Sequence, residues 1–217
     1  MYIPLKGYVE WIIFFSYAAN YIRGLPLQAR GMRLYIATSN RHKVEEIELA
    51  LAPYGIRVVQ VPLPKLEIQS SNLEEIALTA ARSLREMDAP VAVEDAGLFI
   101  RALRGFPGPY SHYVYETIGI RGVLRLLEGV SDRRASFVSV IAVKMPDGKT
   151  LAFRGEIEGT ITSEPRGERG FGFDPIFQPL GSSRTFAEMT VEEKNAYSHR
   201  TRAAKALADF LLKSLHD

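Results

Sequence analysis

The most restrictive feature of the chain is the order in which its apolar segments change period between Met32 and Val93. Leu34 to Ala37 is an apolar run of strand length, whereas residues 41–53 set Val44, Ile47, Leu49 and Leu51 among charges at roughly helical spacing. Pro53 and Gly55 close that helix, and Ile56 to Val61 returns to strand character. Residues 72–87 carry a second amphipathic pattern with Ser71 or Asn72 as its cap, and Pro90 breaks the chain before a third strand, Val91 to Val93. This β-α-β-α-β order predicts an α/β domain with a parallel or mixed sheet, because parallel neighbours need a crossover helix between them.

Beyond Val93 the character changes. Tyr113 to Leu127 reads as helical with Gly119 and Gly122 interrupting, and residues 135–145 form a strand that turns at Pro146-Asp147-Gly148 into a second strand over 150–158. A further strand is expected over 159–163, and residues 194–215 read as one long closing helix with Ala203, Leu207, Phe210, Leu211 and Leu215 on one side. No internal repeat or low-complexity linker divides the 217 residues, so one domain with a hairpin-rich lobe is expected. Lys and Arg exceed Asp and Glu by 27 to 25, too even a balance to suggest a nucleic-acid or membrane partner. The absence of cysteine excludes disulfides and thiolate chemistry and fits a cytoplasmic protein.

Residues 1–31 stand apart. WIIFFSYAANYI is too short to span a bilayer and is flanked by Glu10 and Arg23, and the segment lacks the basic start and cleavage site of a signal peptide. It is read as an appendage ahead of a natural start at Met32, with residues 32–217 as the folded domain.

Four clusters carry chemistry. TSNRHK, residues 38–43, lies where the first strand yields to the first helix; it is either an ordinary cap with a solvated lysine or an anion pocket of helix amides and Lys43. Glu94 and Asp95 follow the third strand, where open α/β sheets bind ligands. With a third acid such as Glu67 they have the oxygen ligands Mg²⁺ takes, or else one caps a turn and the other faces water. RGERGFGFDPIF, residues 166–177, combines glycines that admit a close ligand with the flat faces of Phe171 and Phe173, and is equally a plain turn into a buried Phe177. KNAYSHR, residues 194–200, groups Lys194, Ser198, His199 and Arg200 as donors or as a solvated basic face.

Together these are the parts of a nucleoside triphosphate site. TSNRHKVEEI, LEIQ, VEDAGLFI with GFPGPYS, GFGFDPIF and TFAEMTVEEKNAYSHR, in that order, resemble the signature blocks of the inosine triphosphate pyrophosphatase family, the Ham1-like non-canonical purine nucleotide pyrophosphatases. The resemblance runs from Met32 to Leu215. It implies hydrolysis of ITP, dITP or XTP to the monophosphate and pyrophosphate, an elongated mixed β-sheet flanked by helices, two lobes with the active-site cleft between them, and a homodimer. It further implies that Thr38, Ser39, Asn40, Arg41, His42 and Lys43 bind the triphosphate, and that Glu67 and Asp95 hold Mg²⁺. Asp95 would also accept the proton, with Ala96 against the substrate. Phe171, Gly172, Phe173 and Asp174, with Lys194, His199 and Arg200, would form the nucleoside side. Glu94, if the strand persists, points to the other face and is a supporting group for Asp95 or an alternate metal group.

Two positions depart from the family pattern. Ser39 stands where glycine is usual, acceptable if the backbone there is not left-handed. Ala80 stands where many members carry lysine, leaving that phosphate contact absent or supplied by another group, such as Arg82, Arg166 or Arg169. A Maf-type pyrophosphatase preferring pyrimidine or modified nucleotides, and a nucleotide-binding regulator without catalysis, are the alternative functions.

Overall fold

The computed structural model describes residues 31–214, so the expected appendage, apart from Gly31, and Leu215 lie outside the described residues. Three parallel strands form one half of the sheet: β1 (Arg33–Ala37), β2 (Arg57–Val61) and β3 (Val91–Ile100), joined by helices α1 (Arg41–Leu51) and α2 (Leu73–Ser83). A short strand β4 (Pro107–Gly108) and helices α3 (Ser111–Thr117) and α4 (Gly119–Leu126) follow. The long hairpin of β5 (Arg134–Lys144) and β6 (Thr150–Ile161), then β7 (Phe177–Pro179), extends the sheet antiparallel. Helices α5 (Val191–Tyr197) and α6 (His199–Lys213) close the chain. The seven-stranded mixed sheet runs β2-β1-β3-β5-β6-β7, with β4 pairing β3 outside that path.

Three clusters of buried side chains cover this sheet. On one face of the parallel half, Leu34, Ile36 and Ala92 pack under Ile47 and Leu51 of α1 and Ala203, Leu207 and Leu211 of α6. On the opposite face, Ala77, Ala80 and Ala81 of α2 meet Val91, Val93, Val138 and Val140. The antiparallel end has its own core, with Leu98, Phe137, Ile157, Phe173, Phe177 and Phe186 among its members. The alternation of strand side chains between faces divides the residues of β3 among these cores.

Four expectations need correction. The third strand does not stop at Val93 but continues to Ile100, because β5 pairs it residue by residue from Val91↔Lys144 to Ile100↔Ala135. Glu94 and Asp95 therefore sit inside a central strand. Strand β6 runs on to Ile161 and absorbs the separate strand expected at 159–163. Helix α2 ends at Ser83, four residues early, where Leu84 turns extended into the core and Lys144 Nζ donates to the carbonyl oxygen of Leu84 at 2.7 Å. The long closing helix is two helices broken at Ser198, whose backbone is extended (ψ 136°) and whose hydroxyl accepts the Arg200 amide at 3.1 Å. That break lets the end of α5 and the first turn of α6 face one interior point.

Helix α6 lies close over β6 at Gly155, where a Cβ would fall inside van der Waals contact of the His199 carbonyl and the Ala203 amide. Main chain cannot yield there as a side chain would. Gly155→Ala is expected to cost about 1–3 kcal/mol, as overpacking does, read as a lower denaturation midpoint with an unchanged slope in urea.

Candidate active site

The turn from β1 into α1 is built as a cap. Asn40 Oδ1 accepts the Lys43 amide at 3.3 Å, Thr38 Oγ1 accepts the Asn40 amide at 3.1 Å, and Gln60 from β2 anchors the Thr38 carbonyl at 2.8 Å. The remaining first-turn amides of α1, those of Arg41 and His42, face out of the helix end, where the macrodipole favours an anion. Ser39 is accommodated because Arg104 is the only non-glycine residue with positive φ among the described residues.

Beside this turn the sheet opens. Strand β1 pairs β3 only as far as Ala92, and β4 takes up the same strand again at Leu98. Glu94 and Asp95 lie in that interval, on opposite faces because they are adjacent in a strand. Lys43 reaches into the gap, with Nζ 3.1 Å from the Glu94 carbonyl and 2.8 Å from its carboxylate.

Glu94 faces the core between α1 and α6, fully tied. Its carboxylate accepts from Arg200 Nε at 3.0 Å and from the Ser139 hydroxyl at 2.6 Å, besides Lys43. Burial alone would raise its pKa, but the Arg200 and Lys43 charges overcome that and hold the carboxyl far below the usual range. Arg200 also pairs with Glu46, and Glu46 accepts from Lys194 at 2.7 Å. Lys194 then reaches Asp174 at 2.6 Å. The result is a buried chain, Lys43–Glu94–Arg200–Glu46–Lys194–Asp174, of alternating sign. Glu46, with burial opposed by two cations, is lowered; Asp174, buried beside Glu46 with Lys194 as its cation, is raised.

Asp95 has the opposite environment. It is half-buried on the α2 face, its Oδ1 accepts only the Ala96 amide, and no ion pair reaches it among the described residues. Burial raises its pKa, Glu94 adds to the rise, and the fields of Lys43 and Lys65 oppose it. Glu67 is exposed and paired with Lys65, which lowers its pKa, and it too feels Lys43. Both carboxylates thus share the same two lysines at the mouth of the gap.

The residues expected to form a nucleoside side separate. Phe171 is half-buried, with its amide on Asp174 Oδ2 at 2.9 Å and its ring within 4.9 Å of Lys194 Nζ and 5.5 Å of the Arg200 guanidinium carbon. Gly170 and Gly172, at φ 73° and 60°, make the turn that presents it. Phe173 offers no such face: it is buried in the second core with Tyr115 edge-on at 5.6 Å, because the turn at 174–176 drives it inward. His199 is buried, stacked on Phe137 at 4.8 Å, and its Nδ1 has no hydrogen-bond partner among the described residues. Burial, then the charges of Arg200 and Lys194, keep it neutral by pushing its pKa well below 6.5. The basic face at 194–200 is therefore interior, since Lys194 and Arg200 are both buried.

Ala80 packs in the core under α2, so no side chain at that position points to solvent. Sequence reasoning missed Glu46, Ser139 and Lys65. Glu46 had a signal, since it shares a helix face with buried Ala50 four residues on, and Ser139 is the lone polar residue of FVSVIAV.

Known proteins resemble this chain closely. The model of the Ham1 family matches residues 34–210. A protein of Hyperthermus butylicus named dITP/XTP pyrophosphatase is 54% identical over 179 residues, covering 82% of this chain and 94% of its own. A protein of the same name from Thermococcus kodakarensis is 51% identical over 185 residues, covering 85% and 100%. Among solved structures, a Ham1 protein from Coxiella burnetii superposes with a TM-score of 0.73 at 34% identity, covering 84% of this chain and 99% of its own. The Staphylococcus aureus Ham1 protein gives 0.72 at 30% identity with the same coverage.

The unpaired, half-buried carboxylate predicts a measurable trade. A group whose folded pKa is raised costs stability above that pKa and nothing below its unfolded value. Asp95→Asn is therefore expected to raise the melting temperature at pH 7, with the gain vanishing below about pH 4, as followed by calorimetry across pH.

Proposed function

The chain belongs to the Ham1 family, and from that premise we propose that it hydrolyses non-canonical purine nucleoside triphosphates, ITP, dITP and XTP, to the monophosphate and pyrophosphate. The observation that carries the reading is the division of Glu94 and Asp95 across one strand: one acid holds Lys43 in place, and the other has no ion pair among the described residues. The triphosphate would lie along the gap at the end of β1. Lys43 spends two of its three donors on Glu94, leaving one for a phosphate oxygen beside the first-turn amides of α1. Both groups offset charge on the departing pyrophosphate.

Asp95 would take a proton from a water as that oxygen bonds to the α-phosphorus and the bond to the bridging oxygen of the β-phosphate breaks. A carboxylate raised by burial is the better base for this purpose. Mg²⁺ fits the donor set, because it is commonly bound through one or two carboxylates plus substrate phosphates. Asp95 and Glu67 would hold it, and it would polarise the phosphate oxygens. Asp95→Asn is expected to lower kcat by about 10²–10⁴-fold in protein that remains folded by circular dichroism; near-normal turnover would remove Asp95 from this role.

Base choice follows from which groups in the nucleoside pocket are already used. The buried acceptors there, on Glu46, Glu94 and Asp174, are engaged by cations. A 6-oxo purine brings an acceptor to a site rich in donors from Lys194, His199 and Arg200, with Phe171 as the face for its ring. Adenine brings a 6-amino donor where the carboxylate acceptors are already paired with cations, a mismatch of about 1–3 kcal/mol. In a pyrophosphate-release assay with Mg²⁺, ITP and XTP are expected to exceed ATP in kcat/KM by about ten- to hundredfold, and equal rates would refute the selectivity. A homodimer and a cytoplasmic location accompany this reading. The exposed aromatic side chains of Phe106, Tyr110 and Tyr113 suit the first, and among the described residues no helix is long and apolar enough to cross a membrane.

A further inference from the structure

The face of Phe171 is already in use. The His42 imidazole stacks on it, with ring centroids 5.4 Å apart and planes 14° from parallel. The contact joins the first turn of α1 to the turn at 170–172. His42 stands in the first turn of α1, which packs in the core beneath α6, whereas Phe171 leads into the second core at Phe173 and Ile176.

Both rings are aimed by elements that cannot easily turn. Phe171 and Asp174 exchange main-chain and side-chain bonds at 2.9 and 3.2 Å, and Asp174 is pinned by Lys194. His42 lies one helical turn before Glu46, so the helix face that sends Glu46 to Lys194 and Arg200 also sends the imidazole toward Phe171. The His42 side chain is 59% exposed, and its charged neighbour, Glu45, is 3.7 Å away.

We infer that His42 occupies the position of the purine on Phe171 in the nucleotide-free protein and is exchanged for the base when substrate binds. The inference rests on the reading of Phe171 as the base platform. Such an exchange is favourable, because a bicyclic purine stacks over more area than an imidazole. It also lowers apparent affinity, since only molecules with the ring displaced are competent to bind, and it does so by one factor for every base. His42 is then an affinity-setting residue, acting before any bond to phosphorus changes.

Steady-state pyrophosphate release by the full chain tests this. His42→Ala is expected to lower KM for ITP and for XTP by one common factor, about two- to tenfold, with kcat/KM rising in proportion. His42→Phe, which keeps a stacking ring, should hold KM at or above the wild-type value. In a Phe171→Ala background the effect of His42→Ala should disappear. An unchanged or raised KM in folded His42→Ala protein, or an effect that survives loss of Phe171, would overturn the inference. A wild-type protein that released no pyrophosphate from either nucleotide would refute the pyrophosphatase reading instead. The stack is then still read directly: the His42 Cε1 proton should carry a Phe171 ring-current shift that Phe171→Ala abolishes and saturating ITP removes in the Asp95→Asn variant. A shift that persists at saturation overturns it.

Discussion

The strand, helices and turn around the site are held together by one chain of charges. Lys43, Glu94, Arg200, Glu46, Lys194 and Asp174 alternate in sign, and all but Lys43 are buried. Each ion taken from water costs several kcal/mol, so such a chain is a poor source of net stability. Its consequence is positional. An arginine tied to two carboxylates on different elements fixes β3, α1 and α6 relative to one another, and Lys194 ties α5 and the 170–174 turn to the same frame. Removing a member leaves each neighbour with one opposite charge fewer, so the arrangement tolerates little slack.

The chain of charges also explains why two adjacent acids behave so differently. Period-two alternation puts Glu94 on the face where α1 and α6 supply cations, and Asp95 on the face where α2 supplies alanines. One carboxyl is held ionised far into acid. The other is raised by burial and has no ion-pair partner among the described residues. A single-residue slip in the pairing with β5 would exchange them, and with them the anchor for Lys43 and the proposed base.

The departures from the family pattern have structural answers. Ser39 takes the glycine position because the capping turn does not need a left-handed residue there. Ala80 is part of the apolar contact between α2 and the sheet. Lys65, paired with Glu67 and within electrostatic reach of Asp95, brings positive charge to that end of the cleft from a different segment.

Local sequence determined the things that local forces decide: the alternation of strand and helix up to Val93, the hairpin at Pro146-Asp147-Gly148, the cap at Asn72, and the motif blocks that resemble the family. Tertiary structure decided the rest. The strand runs through two charged residues to Ile100 because β5 offers a partner for its whole length. The last helix breaks because Ser198 satisfies the amide of Arg200 while Arg200 turns inward to acids more than 100 residues away in sequence. Phe171 and Phe173 are the same residue two positions apart, and only the turn at 174–176 buries one and leaves the other half-open. In each case the deciding partner is distant along the chain, and neither periodicity nor motif spacing carries that information.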